Sequence, residues 1–387
     1  MRTGVATFTL DYGRCPPWLF EKMVRLARVV GVAIIEKFGT DELLRRLADP
    51  VWFQSLGCVL AFDWNASGLT TTTLGALKVA FSGLERKYGF FICGGKGKTS
   101  RKTPFEIKTW GERGAVGKSK EMEKLVKISR LTAKIDSSLI QDGFQIYHHN
   151  LIFDKEGTWV VIQQGMNPQI RRARRYHWFG KKKKNNLIEE PHTGIISQIK
   201  LPTVLNLTAK KSRKTRQVSL KLVAASKALY RDLKILAQRS NPQMMFKVLE
   251  LPDYEFKSHP VLGEFGKIDF ENPKLKRTLK KLVIKKPENF SELLLTPGVG
   301  SKTVRALSLV AEVIYGAKPS YQDPARYSFA HGGKDGTPYP VERKTYDQTL
   351  AVMERALLQS RLYYKEKDEA LRRMEKAFFG HQIVFRQ

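Results

Sequence analysis

Residues 293–316 constrain this chain more than any other stretch. They read Leu-Leu-Leu-Thr-Pro-Gly-Val-Gly-Ser-Lys-Thr-Val-Arg-Ala-Leu-Ser-Leu-Val-Ala-Glu-Val-Ile-Tyr-Gly. Proline removes a backbone donor and glycine opens conformations closed to other residues, so Pro297-Gly298 must end one short apolar helix in a tight turn. A second helix is predicted from Ser301 to Tyr315, closed by Gly316.

The pair resembles a helix-hairpin-helix. Without side chains, Gly298 and Gly300 can take positive φ and let an anion reach the free amides of Ser301, Lys302 and Thr303, with the Lys302 ammonium beside it. Such a turn holds a nucleic-acid backbone without reading bases. Charge agrees: 68 Lys+Arg against 37 Asp+Glu give +31, the sign that attracts polyanions. Ion-pair networks for heat stability would raise Glu in parallel with Lys, which is not seen here.

The length of 387 residues and 42% hydrophobic content suit an α+β chain in two domains: a mixed α/β catalytic domain over 1–205 carrying a β-hairpin, and a helical DNA-binding domain over 206–387. The basic run 210–216 marks the boundary. Cys15, Cys58 and Cys93 lie far apart without metal-like pairing, so a disulfide framework or zinc ribbon is not expected. No apolar run is long enough for a membrane span and no signal-peptide core opens the chain, so a cytoplasmic protein is expected.

In the first domain, helices are predicted from Leu19 to Ile34, over 41–48, and from the threonines 70–73 to Leu84; residues 56–62 suit strand or buried helix. Asp63 reads as a helix cap in preference to a cleft residue. A strand at 91–93 leads into a Gly-rich basic loop, in which Lys96 and Arg101 are candidate phosphate contacts. Its spacing is not that of a P-loop.

The densest polar constellation covers 134–154, with Asp136, Asp142, His148 and His149. If 142–149 is helical, Asp142, Gln145 and His149 share a face; residues 158–164, with Gln163, read as the return strand of a hairpin. A histidine can deprotonate an attacking water, and carboxylates can hold a divalent metal on a phosphodiester. The candidate catalytic residues are therefore His148, His149, Asp142, Asp136, Lys96 and Gln163. Asp136, Asp142 and His148 are candidate ligands for Mg or Mn.

Arg171, Arg172, Arg174 and Arg175 beside Tyr176 and Trp178 suggest a cationic surface with flat faces for DNA. His192 is a further metal-ligand or acid-base candidate. Helices are predicted over 218–239, 273–283, 291–295 and 346–378, and the Gly-rich loop 329–336 offers His331 and Lys334 to the same backbone. Partners expected are DNA, single-stranded or duplex, and a second copy of the chain, with no membrane.

Several strings together, among them Gly94-Gly95-Lys96-Gly97, Gln141-Asp142-Gly143-Phe144, Tyr147-His148-His149, Gln163-Gln164-Gly165-Met166, Arg174-Arg175-Tyr176-His177-Trp178 and 329–334, are similar to the archaeal and thermophilic bacterial family catalogued as domain of unknown function 763. The resemblance implies an N-terminal domain similar to the ParB/sulfiredoxin-like nuclease fold and a C-terminal helix-hairpin-helix domain. It also makes Asp142-Gly143 with His148 similar to that fold's Asp-Gly-x-His-Arg box. The string Pro-Gly-Val-Gly-x-Lys-Thr separately resembles endonuclease-III-type DNA glycosylases, implying Lys302 as Schiff-base nucleophile and Asp323 as its acidic partner. The function expected first is a metal-dependent DNA nuclease in repair or processing. A glycosylase/lyase and a non-enzymatic architectural DNA-binding protein are the alternatives.

Overall fold

The computed structural model describes residues 15–60, 68–113, 119–182, 186–239 and 272–325, with Arg355 and Arg372. Asp63, His331, Lys334 and, apart from Arg355 and Arg372, the helix expected over 346–378 lie outside the described residues. The architecture is mixed α and β, built on an antiparallel five-stranded sheet in the order β1-β3-β4-β5-β6. Its strands are β1 Phe90–Lys96, β3 Gln145–Asp154, β4 Trp159–Asn167, β5 Arg172–Gly180 and β6 His192–Ser197. A short second sheet pairs β2 Ile140–Gln141 with β7 Leu205–Asn206.

Side chains alternate across a strand, so each strand contributes to two cores. One face, carrying Phe90, Ile92, Ile152, Val160 and Ile162, is covered by α1 Pro17–Phe38, α2 Thr40–Ala48, α3 Pro50–Val59 and α4 Gly68–Ala80. The amphipathic first helix buries Met23, Leu26, Val30 and Ile34 as its spacing predicts, and the ambiguous 56–62 run begins as the last turn of α3. After the short α5 Glu85–Tyr88, the chain enters β1 at the sheet's edge.

The other face, carrying Phe91, Cys93, Leu151, Phe153, Val161, Tyr176 and Trp178, packs under α6 Thr103–Glu112 and α7 Ser119–Ser138. The same core continues through α8 Arg213–Ala224, α9 Ser226–Arg239, α10 Pro273–Lys285, α11 Phe290–Leu295 and α12 Ser301–Val313. The helix predicted over 218–239 is thus two helices, broken at Ala225, and the first opens inside the basic run.

Two local expectations fail. Residues 145–149 are strand, not helix: Asp142 precedes β3 and does not share a helical face with His149. The Gly-rich loop begins as strand, because β1 runs through Gly94 and Gly95 to Lys96; a 3₁₀ turn, Gly97–Lys102, follows. A Cβ on Gly94 would stand 2.2 Å from the His149 carbonyl oxygen, and its φ is +97°, so this glycine permits close strand approach. Among the described residues no helix is long and apolar enough to cross a membrane.

Candidate functional site

The paired histidines are separated by the sheet. Consecutive strand residues point to opposite faces, so His149 lies under α7 while His148 faces α1–α4. His148 stands in one transverse row with Lys96, Gln164 and Arg175. It is 1% exposed, and burial pushes its pKa down to about 3; the neighbouring Asn150 side chain opposes the shift, but neither ring nitrogen completes a well-formed hydrogen bond.

On the α7 face, hydrogen bonds run in a chain. Ser129 Oγ lies 2.8 Å from His149 Nε2, and His149 Nδ1 lies 2.9 Å from Gln163 Oε1. Gln163 Nε2 donates to Asp136 Oδ2 at 2.5 Å, which also accepts from Trp178 Nε1 at 2.9 Å. Asp136 Oδ1 lies 2.6 Å from His192 Nε2. Because Gln163 offers its carbonyl to His149, the ring donates from Nδ1 and accepts the Ser129 hydroxyl at Nε2. Burial lowers the His149 pKa and favours this neutral form.

A second cluster adjoins it. Asp142 accepts from Arg174 at 2.9 Å, Tyr176 at 2.8 Å and the Phe144 amide at 3.0 Å. Arg174 also grips both oxygens of Asp323, at 3.0 and 2.7 Å, and the Leu201 and Ala325 amides fill the remaining positions on that carboxylate at 2.7 and 2.9 Å. Burial opposes the Arg174 charge, but the Asp142 and Asp323 carboxylates outweigh it and hold the guanidinium above its ordinary pKa.

Asp136, Asp142 and His148 do not fit a divalent ion. His148 is across the sheet from Asp136, and both carboxylates are already surrounded by N–H and O–H donors, which compete for the lone pairs a cation needs. Among the described residues no three His, Cys, Asp or Glu come together to hold a metal. Asp323, likewise, has its carboxylate committed to Arg174.

The expected cationic surface on β5 is a correction. Arg174, Arg175, Tyr176 and Trp178 are all fully buried. Arg175 points to the α1–α4 side, donating to Thr70 at 3.2 Å and Gln54 at 3.0 Å, and burial lowers its pKa to about 9. Arg171 alone of the site residues chosen there is exposed, at the β4–β5 tip. Lys96 is exposed just before the 3₁₀ turn and Arg101 is exposed within it.

The glycine turn leads to an open surface that carries Lys302. Gly298 has φ +96°, whereas Gly300 is extended at −154° and needs no glycine-only conformation. Lys302 is exposed, Ser301 half-buried and Thr303 buried. The turn is anchored from behind: Lys134 Nζ donates to the Val299 carbonyl, Gln141 Nε2 donates to the Ser301 carbonyl at 3.0 Å, and Arg305 holds Gln141 at 2.6 Å. Asn272 and Asn289 cap α10 and α11 with side-chain oxygens, but Gly300 offers α12 none. The first amides of α12 thus lack a side-chain acceptor.

A neighbouring helix completes this surface. Lys274, Arg277, Lys281 and Lys285 of α10 are exposed and fall within roughly 80° of one another at about 100° per residue. Thr278, at the edge of that stripe, meets the turn: a Cβ on Gly298 would lie 2.8 Å from its hydroxyl oxygen. Sequence reasoning found the turn and missed the stripe, although its i, i+3, i+7, i+11 spacing was visible. Ser129 was also missed, and no local motif marks it.

Residues 4–341 match the family described as protein of unknown function (DUF763), and the chain belongs to that family. No curated protein and no solved structure matches it.

Proposed function

We propose that this DUF763 protein binds DNA, holding the phosphate backbone between the glycine turn at 297–302 and the basic stripe of α10. The observation that carries the proposal is the packing of Gly298 on Thr278, which joins the turn before the uncapped start of α12 to the helix that carries the exposed Lys274, Arg277, Lys281 and Lys285. Phosphates approach amides and a partial positive helix end at the turn, and full charges along α10. The turn sequence, similar to a helix-hairpin-helix, favours duplex DNA over other polyanions. Recognition through phosphates is independent of base sequence.

The test is fluorescence anisotropy with a labelled duplex of arbitrary sequence. Lys281→Glu and Lys302→Glu should each weaken binding about tenfold at moderate salt, uniformly across sequences. Unchanged affinity in the double variant would sink the assignment of this surface.

A further inference from the structure

We infer that the cavity beside His192 receives an uncharged nucleoside moiety, an assignment that rests on the DNA-binding proposal and extends it from backbone to base or sugar. The cavity, about 330 Å³, lies where β6 and β7 meet the segment following α12. That size falls within the range of small-ligand pockets, roughly 300–1,000 Å³.

His192 gives the cavity its chemistry. The buried Asp136 carboxylate already accepts N–H groups from Gln163 and Trp178, so it acts as acceptor for His192 too. The imidazole therefore donates from Nε2 and presents the Nδ1 lone pair to the cavity it lines; a hydrogen bond at one ring nitrogen fixes the role of the other. Its ring also packs against Trp178, centroids 4.3 Å apart. What this site offers a ligand is a fixed acceptor for an N–H or O–H donor.

The electrostatics exclude phosphate as the preferred occupant. Glu190 and Asp323 are in the wall and Asp136 stands behind His192, against one lysine, Lys200. Arg174 supplies a single positive charge to the two carboxylates Asp142 and Asp323. In a chain of net charge +31, a cavity in which carboxylates outnumber cations selects against anions. Pro324 and Ala325, both partly exposed, offer apolar surface for a ring face, and the exposed Gln322 amide adds a donor and an acceptor. An apolar surface, a fixed acceptor and an amide match the edge and face of a nucleoside.

Isothermal titration of the full chain with each of the four 2′-deoxynucleosides, and with inorganic phosphate for comparison, tests the assignment, alongside duplex anisotropy on the same samples. At least one nucleoside should bind with unit stoichiometry and shift one histidine ring resonance, while phosphate does not. His192→Gln keeps a donor for Asp136 and takes the acceptor away from the Nδ1 position, so it should weaken nucleoside binding about tenfold. Gln322→Ala, at an exposed position, should weaken it as well without touching the core. No nucleoside binding up to about 10 mM, phosphate binding in its place, or indifference to both variants would overturn the assignment. Nucleoside binding without any duplex binding would instead remove the DNA-surface proposal and leave the cavity assignment standing.

Discussion

Gly298 and Thr278 are packed so closely that a Cβ on the glycine would stand 2.8 Å from the threonine hydroxyl oxygen. That contact joins the turn to α10, which precedes it by one short helix, and makes one surface from two basic elements. It is also conformationally demanding, since Gly298 sits at φ +96°.

Gly298→Ala should therefore destabilise the protein by about 1–3 kcal/mol, combining left-handed backbone strain with the steric conflict at Thr278. Gly300→Ala, at an extended φ with open space around it, should cost about 1 kcal/mol or less. Thermal melts of the two variants check this difference; equal losses would contradict the geometry.

Removing the Asp136 carboxylate leaves the N–H groups of Gln163, Trp178 and His192 without their acceptor. Asp136→Ala should cost about 3 kcal/mol or more in urea unfolding, as buried donors lose their partners. His192→Gln retains a donor and should cost less than half as much. A mild Asp136→Ala phenotype would mean that water reaches the network.

Arg174 is the shared cationic partner of two buried carboxylates, Asp142 and Asp323. Arg174→Met should be among the most damaging single changes, about 3–5 kcal/mol, because Asp142 and Asp323 lose the cation they share in the core. An Arg174→Met/Asp142→Asn double variant should recover part of that loss. Additive losses in the double-mutant cycle would argue against the pairing.

The buried histidines favour unfolding towards acid. His148 has its pKa lowered to about 3 in the folded chain, against an unfolded value near 6.5. The folded state therefore binds fewer protons in between, and this contribution is fully present above pH ~6.5 and lost as pH falls towards 3. Its slope approaches about 1.4 kcal/mol per pH unit, and His149, also lowered by burial, acts in the same direction. Melting temperature measured from pH 7 to pH 4 should fall less steeply in His148→Asn than in the unaltered chain; identical slopes would contradict the burial of a neutral imidazole.

Much of the framework was legible because it is written in local signals. The first helices follow their apolar spacing, and the proline-glycine turn fixed the 290s. β3 was harder: Asp142 and Gln145 mimic a helix start, while the pairing that makes the segment a strand comes from β1, about 50 residues earlier, and from β4. The arginines of β5 were misplaced for the same reason. A run of arginines is ordinarily solvated, and what permits burial of Arg174 is Asp323, 149 positions away. The Ser129–His149–Gln163–Asp136–His192 chain is assembled from α7 and three strands. Its chemically reactive members were noticed as types, but the division of His148 from His149 by the sheet required the register.

The most direct measurement of the central claim is the salt dependence of duplex binding by the unaltered chain and by variants of α10 and the turn. Plots of log affinity against log salt should be linear, and Lys274→Gln, Lys281→Gln and Lys302→Gln should each reduce the slope by about 0.9, adding together in the triple variant. Slopes unchanged by all three substitutions would contradict the account, placing the DNA elsewhere on this basic protein.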